Sequence, residues 1–115
     1  NRIEGLGNVA TVAIGTVETD PATADRVLDF AVTRLHNLGR HYDAATGERI
    51  ADSPDAHLVE HAVLLRLAAA RDHPATDRLL ARLVRQLERD APVGNKASLY
   101  TLTECLLALQ SALSR

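Results

Sequence analysis

The stretch DAHLVEHAVLLRLAAA, residues 55–70, is the most apolar part of the chain and lies near its middle. Read as a helix, it carries apolar side chains almost all round, which is typical of a helix buried on every side. Segments with one apolar and one polar face flank it in both directions. We therefore expect a central helix over about residues 55–71, against which the rest of the chain packs.

The flanking segments carry helix signals of their own. Asp20 and Pro21 suit the N-cap and the first position of a helix, which we expect to run to about Leu38. Residues 74–90 predict a second amphipathic helix, whose leucines face inward and whose basic face is a solvated surface. A last helix is expected over 98–115, with a continuous stripe formed by Leu99, Leu102, Leu106, Leu109 and Leu113.

An internal repeat relates these helices. DPATADRVL at 20–28 resembles DHPATDRLL at 72–80, and LLRL at 64–67 resembles LLAL at 106–109. A buried helix followed by an amphipathic one, then a loop, predicts stacked helical hairpins. Residues 8–18 suit a strand by propensity and a helix by spacing, and their place in the repeat favours the helix.

The predicted fold class is therefore all-α, with four or five helices in antiparallel hairpins. The hairpins are expected over about residues 8–38 and 55–90, within one domain. Residues 1–7 and 91–95 are expected to be irregular.

The connection over residues 40–54 is long for a compact helical domain, and such connections are often functional. Asp43 and Gly47 indicate a turn between two short extended pieces, at 40–42 and 48–50.

Composition limits the function classes. Of the 115 residues, 46% are apolar and 24% charged, which is ordinary globular usage. No apolar run approaches the roughly 18 residues that span a membrane, and the formal net charge of -2 gives no reason to expect nucleic acid. The single Cys105 cannot form an internal disulfide and is expected to be a small buried hydrophobe, which fits a cytoplasmic protein.

The chain opens at Asn1 and contains no Met, so we expect a processed chain or a piece of a longer protein. Basic residues are almost all Arg, and Ala and Leu are abundant. That usage indicates a GC-rich bacterial genome.

Apolar inner helices that alternate with amphipathic outer helices resemble the α/α toroid, a barrel of helical hairpins shared by several enzyme families. The terpenoid cyclase and prenyltransferase group is one, but the chain lacks the Asp-x-Asp-Asp motif of its class II cyclases and is poor in aromatic residues. The N-acylglucosamine 2-epimerase and mannose isomerase group is another. Its members carry a segment resembling Asn-x-His-x-His-x-x-Glu-Ala at the start of an inner helix.

The run from Ser53 to His61 resembles that segment in part. His57 and Glu60 match its second His and its Glu, whereas Ser53 and Asp55 replace the Asn and the first His, and His61 replaces the Ala. The resemblance implies part of a barrel enzyme that acts on a small polar substrate such as a sugar. A full barrel needs about six hairpins, of which this chain would supply two and a half.

His57, Glu60 and His61 are the candidate catalytic residues. Their spacing matches the His-x-x-Glu-His zinc pattern, in which two histidines at i and i+4 share a helical face and the Glu acts as general base. A third protein ligand would have to come from a later glutamate, Glu88 or Glu104.

Two other interpretations of the same cluster stay open. The three residues are the polar edge of a mostly buried helix, or one of the histidines is a proton shuttle in a small-molecule site. In the second case Tyr42, Asp43 or Tyr100 is expected to close over the site.

Three functions follow. The first is a non-catalytic helical-hairpin scaffold or interaction domain, without cofactor, that binds a protein partner or itself through an apolar surface stripe. The second is a segment of an α/α-toroid enzyme with a small-molecule ligand. The third is a zinc-dependent hydrolase that uses His57, Glu60 and His61.

Overall fold

A computed structural model describes residues 2–90 and 98–115 of the chain. The described residues are mainly helical, with a small two-stranded antiparallel sheet that the sequence did not predict. The elements are β1 (Ile3–Gly5), α1 (Leu6–Gly15), α2 (Pro21–Val32), β2 (His41–Asp43), α3 (Leu58–Arg71), α4 (Thr76–Asp90) and α5 (Leu99–Leu113).

Helix α3 lies at the centre, as predicted. Nine of its 14 residues are buried, and it contacts α1, α2, α4 and α5. It begins at Leu58, later than expected, because the residues before it are held in an extended pairing: the Ala56 amide donates to the Leu38 carbonyl at 2.9 Å, and the Arg40 amide donates to the Pro54 carbonyl at 3.1 Å. Those backbone groups are therefore not free to add another helical turn.

Helix α2 starts where the sequence predicts, with the Asp20 carboxylate accepting from the Thr23 amide at 3.3 Å and Pro21 at the first position.

The predicted continuation of α2 to Leu38 is wrong. The α-helix ends at Val32 and a short 3₁₀ turn follows at Leu35–Asn37. The Thr33 hydroxyl donates to the carbonyls of Asp29 and Phe30, so side chains satisfy the last helical carbonyls without a glycine.

The N-terminal segment contains a β-strand, although irregular structure was predicted for residues 1–7. β1 pairs with β2, with Glu4 opposite Tyr42. The Leu6 amide then donates to the Arg40 carbonyl at 2.8 Å, which starts α1 beside the same strand. Residues 8–18 are helical up to Gly15, so the choice of helix is confirmed.

The predicted turn after β2 is confirmed. The Asp43 carboxylate accepts from the amides of Ala45 and Thr46 at 2.8 and 3.0 Å, and Gly47 has a φ of 72°, which only glycine adopts freely. Arg49 then pairs with Tyr42, which completes the returning extended piece.

The leucine stripe predicted for the last helix does not form the buried face of α5. Its buried residues are Cys105, Ala108 and Ala112, which confirms the burial of the cysteine. The leucine stripe of this helix, by contrast, is largely exposed. The predicted loop over 91–95 lies outside the described residues. No helix among those described is long and apolar enough to cross a membrane.

We expect Asp72→Gly to raise the free energy of unfolding by about 0.5–1 kcal/mol. Asp72 ends α3 in the left-handed conformation, with a φ of 49°. Its Cβ is strained there, and its charge opposes the negative end of the helix dipole. Ala81→Gly, at an exposed position inside α4, is the control and should lower stability by about 1 kcal/mol. Urea denaturation measures both, and a loss of stability in Asp72→Gly would contradict the prediction.

Candidate functional site

His57 lies just outside α3 rather than within it. It is the N-cap residue, with extended backbone angles (φ -109°, ψ -170°), and its side chain is exposed. The shared helical face predicted for His57 and His61 requires both residues to be helical. α3 starts one residue after His57, so the cap and not the helix positions His57. Its backbone carbonyl still accepts from the His61 amide at 3.2 Å, and its charge is among those that lower the pKa of His61.

Glu60 is buried, at 3% exposure, in a structural position. One of its carboxylate oxygens accepts from the His57 backbone amide at 2.7 Å and lies 3.2 Å from Nε of Arg40. The other oxygen faces Gly7 of α1, where an added Cβ would lie 3.2 Å away. Glu60 therefore caps the start of α3 and ties it to the segments before it, while the room left by Gly7 accommodates the carboxylate.

His61 is also buried, at 5% exposure, but it faces a different neighbour from Glu60. It lines a cavity of about 340 Å³ whose far wall is α4, with Arg82, Arg85 and Arg89. Burial, reinforced by the positive charge of Arg82, lowers the pKa of the imidazole to about 4. The ring is therefore neutral at pH 7.

The residues expected to close over the site have other contacts. The Tyr42 hydroxyl accepts from the Gly39 amide at 2.9 Å, and its ring meets Phe30 edge-on with the centroids 5.0 Å apart. Asp43 caps the turn that follows β2. Tyr100 is exposed on α5. None of the predicted lid residues lines the cavity beside His61.

Metal ligation gains no support from the geometry. Across residues 2–90 and 98–115, no three His, Cys, Asp or Glu side chains converge where they could hold a metal ion. Glu104, one expected third ligand, pairs instead with Arg66 of α3 at 2.7 Å. Glu88 is exposed on α4.

The arginines beside His61 are the residues that sequence reasoning missed. They belong to the basic face of α4, which was expected to be a solvated surface. Arg82, Arg85 and Arg89 are separated by three and four residues, so they share one face of the helix. That spacing was visible in the sequence, but its position opposite a buried histidine was not.

A second candidate surface is the row of five leucines on α5, which we call the leucine row. Leu99, Leu106 and Leu113 are 81%, 68% and 74% exposed, while Leu102 and Leu109 between them are partly covered. Their alternating separations of three and four residues are the a/d spacing of a coiled-coil seam. Glu104 is the one charged residue in the helix sequence.

Comparisons of the chain with protein-family models, with curated proteins and with solved structures gave no match, so its function has to be inferred from these two surfaces.

Proposed function

We propose that the chain is a non-catalytic helical scaffold domain that self-associates through the leucine row of α5. The observation that carries the proposal is the exposure of Leu99, Leu106 and Leu113 in a single line along one helix. Burying such a line removes a large apolar area from water, at about 25 cal/mol per Å². Contiguous apolar surface of this kind is typical of interaction sites.

A second copy of the chain is the partner that fits best. Two identical helices with a/d leucines offer each other matching knobs and holes, and a two-fold axis brings the same patch together from both copies. Like-charge repulsion does not oppose this pairing, because Glu104 is engaged with Arg66 on α3. The inner face of α5 is already anchored by Cys105, Ala108 and Ala112, so little ordering is needed on association.

Leu106→Glu is expected to weaken self-association by about tenfold or more, because pairing would bury a carboxylate in an apolar seam. Leu106 is 68% exposed in the single chain, so the helix content and the unfolding midpoint of the monomer should change little. Sedimentation equilibrium over a wide concentration range measures the dimer fraction.

Ser111→Glu is the matched control for that experiment. Ser111 is exposed and five residues further along α5, which places it about 140° round the helix from Leu106. It should therefore leave association unchanged. A wild-type chain that stays monomeric up to millimolar concentration contradicts the proposal, and so does equal weakening by both substitutions.

A segment of an α/α-toroid enzyme is the second candidate function. In such a barrel the next hairpin of a longer chain would cover the leucine row. This alternative predicts that the 115-residue chain remains monomeric and that Leu106→Glu destabilises the longer protein instead. Among the described residues, no observation supports the third function, the zinc-dependent hydrolase.

A further inference from the structure

The cavity beside His61 lies between three segments that are distant in sequence. One wall is the 3₁₀ turn at Leu35–Asn37, the second is formed by Asp55, just before α3, and His61 in its first turn, and the third is α4. At about 340 Å³ it corresponds to about ten water volumes. A small organic molecule fits a space of this size.

Two buried polar atoms, both in side chains that line this cavity, lack a partner. Among the described residues, Nδ1 of His61 and Nε of Arg82 are the buried side-chain nitrogen and oxygen atoms without a hydrogen bond. Buried polar groups are nearly always paired. Both exceptions belong to residues that line one cavity, on different helices, so the unpaired polar groups of the described chain are concentrated around this cavity.

The charges around the cavity define that group. Arg82, Arg85 and Arg89 contribute three guanidinium groups, and none forms an ion pair with a described residue. Residues 91–97, APVGNKA, contain no acidic side chain. Asp55 is the acidic residue in the lining, and Arg49 already holds its carboxylate at 2.8 Å. The cavity is therefore positively charged although the chain has a net charge of -2.

Arg82 is held in position for this role. One of its terminal nitrogens donates to the Leu35 carbonyl at 2.8 Å, which fixes the guanidinium against the wall and leaves the Nε hydrogen available. The neutral His61 ring can carry its proton on Nδ1 and donate it as well. Two buried donors surrounded by arginines suit an oxyanion.

We infer that this cavity binds a small organic oxyanion, a molecule bearing a phosphate or carboxylate group, with Arg82 and His61 donating to it at the buried end and Arg85 and Arg89 at the mouth. The inference concerns a surface separate from α5 and does not depend on self-association.

Isothermal titration with inorganic phosphate and, separately, with succinate tests the inference at constant ionic strength, since added salt screens the arginines. We expect saturable binding of at least one probe at millimolar concentration or below, together with a change in the ring nitrogen shifts of His61 in NMR spectra. Phosphate alone would identify a phosphate monoester as the ligand class, succinate alone a dicarboxylate, and both a general oxyanion site. Absence of saturable binding by either probe, or an equal response to chloride, would overturn the inference.

Arg82→Gln should weaken binding by about tenfold or more, because it removes a charged donor at the buried end. Arg78→Gln is the control: Arg78 is exposed on the same helix and does not line the cavity. Should Arg82→Gln fail to fold, the double variant Arg85→Gln/Arg89→Gln changes only exposed side chains and should weaken binding several-fold. Unchanged affinity in both folded variants, or equal weakening by Arg78→Gln, would contradict the assignment.

Discussion

Arg40→Ala is expected to lower the free energy of unfolding by about 1–2 kcal/mol, because it removes the half-exposed cation from the buried Glu60 carboxylate. Glu60 is 3% exposed, and Nε of Arg40 lies 3.2 Å from its oxygen. Glu60→Gln should cost less, since an amide oxygen can still accept from the His57 amide. Urea denaturation of both variants measures the difference.

Arg2→Ala is the control for this ion pair. Arg2 pairs with Glu4 on the surface, where its side chain is 81% exposed, and surface pairs contribute about 0–1 kcal/mol. If Arg40→Ala costs no more than Arg2→Ala, Glu60 does not have the structural role assigned to it. The result also bears on catalysis, because a purely chemical role for Glu60 predicts that its replacement leaves stability unchanged.

The second large effect is a loss of stability as pH falls from about 6.5 to about 4. The pKa of His61 is about 4 in the folded chain and 6.5 in its ordinary state. Between those values the unfolded chain binds a proton that the folded chain does not, so the free energy of unfolding decreases as pH falls. The difference between the two pKa values corresponds to about 3 kcal/mol of unfolding free energy, and none of this stability is lost above pH 6.5.

His61→Leu should abolish this dependence, whereas His41→Gln, at an exposed position, should leave it intact. Unfolding midpoints measured every half unit of pH provide the comparison. Asp20 and Asp25 have pKa values lowered from 3.8 by hydrogen bonds from Thr23 and Arg71, so their contributions are lost at lower pH. Buffers without phosphate or carboxylate are needed, because an oxyanion beside His61 would favour its charged form. A slope that persists in His61→Leu would assign the effect to other groups.

The features that the sequence predicted correctly depend on interactions between residues that are close together in the chain. Asp20 needs only Thr23 to cap α2, and Asp43 needs only Ala45 and Thr46 to form its turn. The apolar run of α3 is buried by whichever elements surround it, so its central position does not depend on a particular partner. These signals are local, so they can be read without knowing the tertiary structure.

The candidate site depended on partners that are far away in the chain. His57, Glu60 and His61 are neighbours in sequence, but one is exposed, one contacts Arg40, and one faces α4. A shift of the helix start by a few residues left His57 at the N-cap, whereas His61 lies inside α3. Element boundaries depend on competing tertiary hydrogen bonds, here those between residues 38–40 and 54–56, which no periodicity encodes.

By itself, the sequence determined that the chain is mainly helical, that a core helix lies within about 55–71, and where α2 and the β2 turn begin, because these depend on propensity, capping and apolar spacing. Tertiary structure alone decided which face of α5 is buried. Glu104 of α5 pairs with Arg66, and Cys105, Ala108 and Ala112 are buried, so the leucine row is left outside. Tertiary structure also decided that His61 lies opposite three arginines, because this cavity forms only where separate segments of the chain meet.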